Sequence, residues 1–164
     1  MFVKITLSIV KAFKYNNYLF IMKLISHRGN LYGPNKLDEN NPQYVSSAVE
    51  KGFDVEIDVF FFNDSLWLGH DEPVYKIDIK WLMNNNLWCH AKNLEALDCL
   101  LKFQNIHCFW HQNDDFTLTS KGYIWTYPEK QIVKNSILVI TNDIEKEKLP
   151  DCYGVCSDFV GKLK

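Results

Sequence analysis

The chain has 164 residues, 47% of them hydrophobic and 15% aromatic, which is enough for one folded domain with its own core and excludes a disordered composition. The formal net charge of −2 excludes a broad basic face that would grip nucleic acid. Five cysteines, an odd number with no CxxC spacing, argue for buried thiols in a reduced, cytoplasmic setting rather than for a disulfide framework.

Residues 1–21 combine a basic start with apolar content, but Lys11 and Lys14 interrupt the run and no small-residue cleavage site follows. They read as an upstream extension or a weak amphipathic helix, with Met22 opening a single domain over 22–164; secretion is the alternative if 1–21 act as a signal. No other stretch is long and apolar enough for a membrane span. The sequence leaves the oligomeric state open.

Leu24–His27 is an apolar run ending in polar residues, the first strand of the domain. The stretch from Ser26 to Pro42 is loop-like, rich in Gly, Asn and Pro. A helix follows from Pro42, with Val45, Ala48 and Val49 on one face and Gly52 as its stop. In Phe53–Val59, Asp54, Glu56 and Asp58 alternate with Phe53, Val55, Ile57 and Val59. Strand side chains alternate between faces, so one face is apolar and the other carries three acids. Phe60–Asn63 and Leu66–Gly69 suggest a hairpin around Asp64 and Ser65. Asp78–Asn84 suggests a short helix, Leu87–Lys92 a strand, and Asn93 caps an amphipathic helix carrying Leu94, Leu97, Leu100 and Leu101. His107–His111, Phe116–Thr119, Tyr123–Tyr127, Ile137–Thr141 and Tyr153–Asp158 are strand-like, and Asn142–Lys148 suggests a short charged helix.

Eight strands, mostly alternating with helices or tight links, predict parallel βα units and an α/β fold: a compact, trimmed TIM-type (β/α)8 barrel with reduced outer helices, especially between Asn105 and Ser136. An open α/β sheet is the rival.

Polar residues gather where the strands end. These are His27 and Arg28, Glu56 and Asp58, His70 and Asp71, His90 and Lys92, His111 to Asp114, and Asp158. Sites in parallel α/β folds lie at such carboxyl ends. Four of the 5 histidines fall in this set, and so does Arg28, the sole arginine among 18 basic residues. Glu56 and Asp58, two apart on a strand, can reach one cation, and carboxylate oxygens suit Mg²⁺ or Ca²⁺. His90 can complete the coordination and Lys92 can balance the acids. His27 and His70 suit acid–base work near neutral pH, and Arg28 offers a fork for phosphate. Asp54, one pleat deeper, reads as structural.

The segments SHRGN (26–30), EN (39–40), GFDVEIDV (52–59) and GHDEP (69–73) resemble the glycerophosphodiester phosphodiesterase family, whose hallmarks are an HRG, an EN, an E-x-D strand and an HD in that order. The resemblance covers about residues 24–73 and is looser at LWCHAKN and GVCSD. It implies a TIM-barrel phosphodiesterase that uses a divalent cation and acts on a small phosphodiester. His27 and His70 would be the catalytic pair and Arg28 would bind phosphate. Glu39 and Lys92 would line the substrate site, and Glu56 and Asp58 would hold the metal. Two departures stand out. His90 occupies the place of a family glutamate ligand, which admits Mn²⁺ or Zn²⁺. The family's insertion after the HD segment is missing, since only residues 72–87 separate it from the next strand. The compact layout is similar to sphingomyelinase D-like lipid phosphodiesterases. A catalytically silent relative that binds a phosphorylated ligand is the alternative from another class, and an interaction protein on the same scaffold is a third.

Overall fold

A computed structural model describes the backbone of residues 13–15 and 18–20, and residues 22–143 and 145–164. Within 1–21, β1 (Phe13–Tyr15) and β2 (Tyr18–Phe20) pair antiparallel; the expectation of an amphipathic helix or a signal there otherwise lies outside the described residues. The domain then runs β3 (Lys23–His27), α1 (Pro42–Glu50), β4 (Asp54–Phe62), β5 (Ser65–Leu68), β6 (Tyr75–Ile77), β7 (Leu87–Ala91), α2 (Leu94–Leu101), β8 (Cys108–Trp110), β9 (Phe116–Leu118), β10 (Ile124–Thr126), β11 (Ser136–Ile140) and β12 (Gly154–Ser157).

Both helices form where local chemistry starts them. Asn41 caps α1 by accepting from the Gln43 amide at 2.9 Å, with Pro42 in the first turn. Asn93 caps α2 by accepting from Ala96 N at 3.1 Å, and its side chain also bonds both the amide and the carbonyl of Phe61, tying α2 to β4. The β4–β5 turn falls at Asn63 and Asp64, one residue before the expected position, with φ of 48° and 53°. Two successive left-handed residues make a hairpin turn that follows the strand twist, and Asn and Asp tolerate it.

The strands form a ten-stranded mixed sheet with the path β6-β5-β4-β3-β12-β11-β10-β9, while β7 pairs with β4 and β8 with β7. The run β8, β7, β4, β3, β12, β11, β10 is parallel throughout. The sheet curls as a half-barrel. The ends of the curl touch through Ser120 N to Cys108 O at 2.8 Å and Thr117 Oγ1 to Trp110 O at 2.7 Å, without a ladder between β8 and β9.

This corrects the expected (β/α)8 barrel with outer helices. Only α1 and α2 are α-helices among the described residues, and β9 runs antiparallel to β10. The cause is chain length between strands. A parallel crossover with a helix needs about a dozen residues or more, and the links 111–115, 119–123 and 127–135 carry none. Asp78–Asn84 and Asn142–Lys148 shorten to 3₁₀ turns at Trp81–Met83 and Lys146–Lys148.

Alternation splits the apolar residues into two layers. Val55, Ile57, Val59, Leu87, Cys89 and Val155 face outward against α1 and α2, which contribute Val45, Ala48, Ala96 and Leu100. Ile25, Trp88, Phe109, Trp125, Ile137 and Cys156 fill the inside of the curl. Each fully buried aliphatic side chain contributes about 1.5–3 kcal/mol. Polar groups lie at both ends of the inner layer. At the amino end, Asp54 accepts from Lys23 Nζ (3.1 Å), Asn86 Nδ2 (2.9 Å) and Trp88 Nε1 (3.0 Å). All five cysteines are free thiols. No helix among the described residues is long and apolar enough to cross a membrane.

Candidate metal and phosphate site

Strand register assembles the carboxyl-end site. In β3–β4, His27 stands beside Glu56; in β4–β7, Asp58 stands beside His90. Neighbours in a parallel ladder point to the same face, so four polar side chains enter one small space. Ligand atoms of Glu56, Asp58 and His90 lie within 4.8 Å of one another. Glu56 is 2% exposed and Asp58 0%.

Asp58 is the anchor. Asn40, itself fully buried, brackets it by donating from Nδ2 to Oδ2 at 3.0 Å and accepting from the Asp58 amide at 2.9 Å. Arg28 Nε sits 2.8 Å from Oδ2 but is poorly aligned for a hydrogen bond, so that contact is chiefly an ion pair. His90 Nδ1 (3.1 Å) and Lys92 Nζ (3.4 Å) face Oδ1. Burial disfavours the carboxylate charge, yet His90, Arg28 and Lys92 together hold Asp58 well below the usual carboxylate range.

His90 reads the same way from the other side. Its Nε2 is 2.9 Å from the His111 carbonyl, which can only accept, so Nε2 carries a proton. Nδ1 therefore faces the acids, 3.6 Å from Glu56 Oε1 and 3.1 Å from Asp58 Oδ1. Burial lowers the affinity of the ring for a second proton, but the two carboxylates overcome it and push His90 up to about 9. Phe109 stacks on the ring at 5.2 Å and fixes its plane.

Two buried carboxylate oxygens lack a well-aligned hydrogen bond: Glu56 Oε2, and Asp58 Oδ1, which meets His90 Nδ1 and Lys92 Nζ only as ion pairs. A buried anion left incompletely paired is costly, and this donor set fits a cation. Ligands at 90° around an ion, each about 2.1–2.3 Å away, are separated by about 3.0–3.3 Å. The 3.1 Å between His90 Nδ1 and Asp58 Oδ1 matches that spacing, and the 3.6 Å between His90 Nδ1 and Glu56 Oε1 is wider than it. Two acids and an imidazole suit Mg²⁺, Ca²⁺, Mn²⁺ or Zn²⁺.

His27 is oriented by Asp158. Its Nδ1 lies 2.8 Å from Asp158 Oδ1, which also accepts from Asn30 Nδ2 at 2.7 Å. Burial favours the protonated acid, but these donors and the His27 charge keep Asp158 ionised below its usual range. The Nδ1 proton is thereby held, and Nε2 points toward Glu56 Oε2 at 3.9 Å. Burial opposes a charged His27 ring; the Asp158 bond and the Glu56 charge outweigh it, and the ring titrates above its ordinary value.

Arg28 leaves β3 in a left-handed conformation (φ 55°), and Asn40, in the loop before α1, is left-handed too (φ 62°). Non-glycine residues adopt such angles at a cost, and they cluster at functional sites. Arg28 Nη1 donates to Glu39 Oε2 at 3.1 Å, and Asn30 Nδ2 holds Glu39 Oε1 at 3.0 Å. Arg28 and Glu39 line a cleft of about 500 Å³ with His70, Lys36, Leu37 and Tyr75. His70 thus shares the cleft with Arg28. Its ion pair is to exposed Asp71 at 2.7 Å, and its imidazole is 41% exposed. His27 faces Glu56 and Asp158 instead of this cleft.

The residues that tie the site together are ones for which sequence reasoning assigned no role. Asn30 bridges Glu39 and Asp158, Asn40 brackets Asp58, and Asp158 orients His27. Their signal was adjacency: Asn30 ends SHRGN, Asn40 ends EN, and Asp158 ends the last strand. No protein-family model, curated protein or solved structure matches this chain.

Proposed function

We propose that this protein is a metal-dependent phosphodiesterase acting on a glycerophosphodiester or a related small phosphodiester. The observation that carries the reading is the pair of buried, incompletely partnered carboxylates, Glu56 and Asp58, converging with His90 beside the single arginine. A divalent cation held there would neutralise charge on the phosphoryl oxygens. Arg28 would bind a further oxygen from the cleft side, with Glu39 and Asp58 fixing its plane. His27, with Nδ1 committed to Asp158, has Nε2 to take a proton from the attacking hydroxyl. His70, exposed at the cleft, would protonate the leaving alcohol. Lys92, at 3.4 Å from Asp58, adds positive charge at the same mouth.

A second reading, binding of a phosphorylated ligand without turnover, has a specific observation in its favour. Arg28, His90 and Lys92 already pair with Asp58, so the acids have cationic partners within the chain. Hydrolysis of bis(p-nitrophenyl) phosphate and glycerophosphocholine with Mg²⁺, Ca²⁺, Mn²⁺ or Zn²⁺ separates the two. The enzyme reading expects metal-dependent turnover that His27→Ala and His70→Ala each lower by at least about 10²-fold. Ligand binding with no turnover above that of a variant carrying both His27→Ala and His70→Ala favours the second.

A further inference from the structure

His111 follows β8 and sits at the carboxyl-end mouth, where the expected roles leave it unused. Its ring lies 4.9 Å from that of Tyr127 and 6.1 Å from that of His90. Its carbonyl accepts from His90 Nε2. Both of its ring nitrogens are buried, and neither has a hydrogen-bond partner in the protein. The other histidines of the inner face are anchored: His27 by Asp158, His90 by the His111 carbonyl, His107 by Thr119 Oγ1 at 2.8 Å. A neutral imidazole carries one donor and one acceptor, and leaving both unmet underground is unfavourable. An apolar side chain would serve packing better at that position. The ring is also not among the three residues whose ligand atoms converge, so it borders the metal group without belonging to it.

We propose that His111 is a substrate-contact residue that donates a hydrogen bond to a phosphoryl oxygen of the ligand held at the Glu56–Asp58–His90 group. The assignment rests on the phosphodiesterase reading above. It explains why the ring, beside those of His90 and Tyr127, has no partner within the protein: its partner arrives with the ligand. The residue lies on the β8 side of the mouth and Arg28 on the β3 side, so the two would grip the phosphoryl group from opposite flanks.

The test uses the full chain with Mn²⁺ and inorganic phosphate as probes, and the variants His111→Phe, His111→Leu and His111→Asn. Mn²⁺ affinity is expected to stay within about twofold of wild type in all three, since His111 is not a ligand. Mn²⁺-dependent phosphate binding is expected to weaken about tenfold in the Phe and Leu variants, the worth of one hydrogen bond to a charged group, and to recover in part with Asn. Without metal or phosphate, the Phe or Leu variant is expected to melt about 2–4 °C above wild type, because an unmet polar group has been removed. Phosphate binding retained within twofold by both apolar variants overturns the assignment alone. So does a lowered metal-free Tm in both. A wild-type protein that shows no Mn²⁺-dependent phosphate binding overturns the underlying reading, and this assignment with it.

Discussion

The two carboxylates at the site are paired unequally, and Glu56→Gln and Asp58→Asn should therefore behave oppositely in metal-free protein. Asp58 faces Arg28 at 2.8 Å, His90 at 3.1 Å and Lys92 at 3.4 Å, with Asn40 bonded to the same side chain. Neutralising it leaves these cations buried without their counter-charge, which costs about 3–5 kcal/mol. Glu56 is as buried, but its nearest charged partners are His90 at 3.6 Å and His27 at 3.9 Å, and Oε2 has no hydrogen bond. Neutralising it removes a poorly compensated buried charge, so its effect is expected within about 1 kcal/mol of zero. The assay is urea denaturation in EDTA, where Asp58→Asn should lose a large share of the roughly 5–15 kcal/mol stability typical of a domain and Glu56→Gln little. Repeating it with saturating Mn²⁺ should stabilise wild type by mass action and leave Glu56→Gln nearly unmoved. Equal losses in EDTA, or a full Mn²⁺ response in Glu56→Gln, would refute the reasoning.

Three further outcomes follow from other parts of the molecule. Asp158→Asn should cut phosphodiester turnover on the order of 10²-fold or more while binding Mn²⁺ normally, because the His27 orientation and the Asn30 bond are lost and neither residue is in the metal group; steady-state kinetics beside metal titration checks it. His107 is 8% exposed, and burial together with Lys121 holds it down to about 4, so the unfolded chain takes up the proton first as pH falls. Its contribution is complete above about 6.5, lost between about 6.5 and 4, and worth up to about 3 kcal/mol; His107→Gln should flatten that part of the stability–pH curve, and an unchanged curve would contradict it. Gly69 has φ +155°, and a Cβ there would meet the Glu72 carbonyl at 2.0 Å. Gly69→Ala should therefore displace the turn carrying His70 and cost about 1–3 kcal/mol, read as a lower denaturation midpoint.

Much of the site was legible because it lies on one strand and the loops around it. The period of two in Phe53–Val59 fixed which acids share a face, and Pro42 and the Asn93 cap fixed where the helices begin. The parallel order of the central strands followed from the βα alternation of the first half. The second half escaped the same reasoning. Strands such as Phe116–Leu118 and Ile124–Thr126 are three residues long, and their direction is set by which neighbour they reach and not by local pattern. A strand count of eight therefore suggested a helical outer ring that the short links cannot supply. β6 (Tyr75–Ile77) was missed because its partner, β5, provides the pairing while its own sequence alternates weakly. The bracketing by Asn30 and Asn40 was legible only as adjacency to the motif residues, since it depends on left-handed backbone at Arg28 and Asn40 that brings separate loops onto Asp58 and Asp158.

The most direct test of the proposed metal centre is anomalous diffraction from crystals of the full chain grown with Mn²⁺. A single strong peak is expected within about 2.0–2.6 Å of a Glu56 carboxylate oxygen, Asp58 Oδ1 and His90 Nδ1. A fully occupied crystal with no peak there, and with His90 bonded directly to Asp58 in its place, would contradict it.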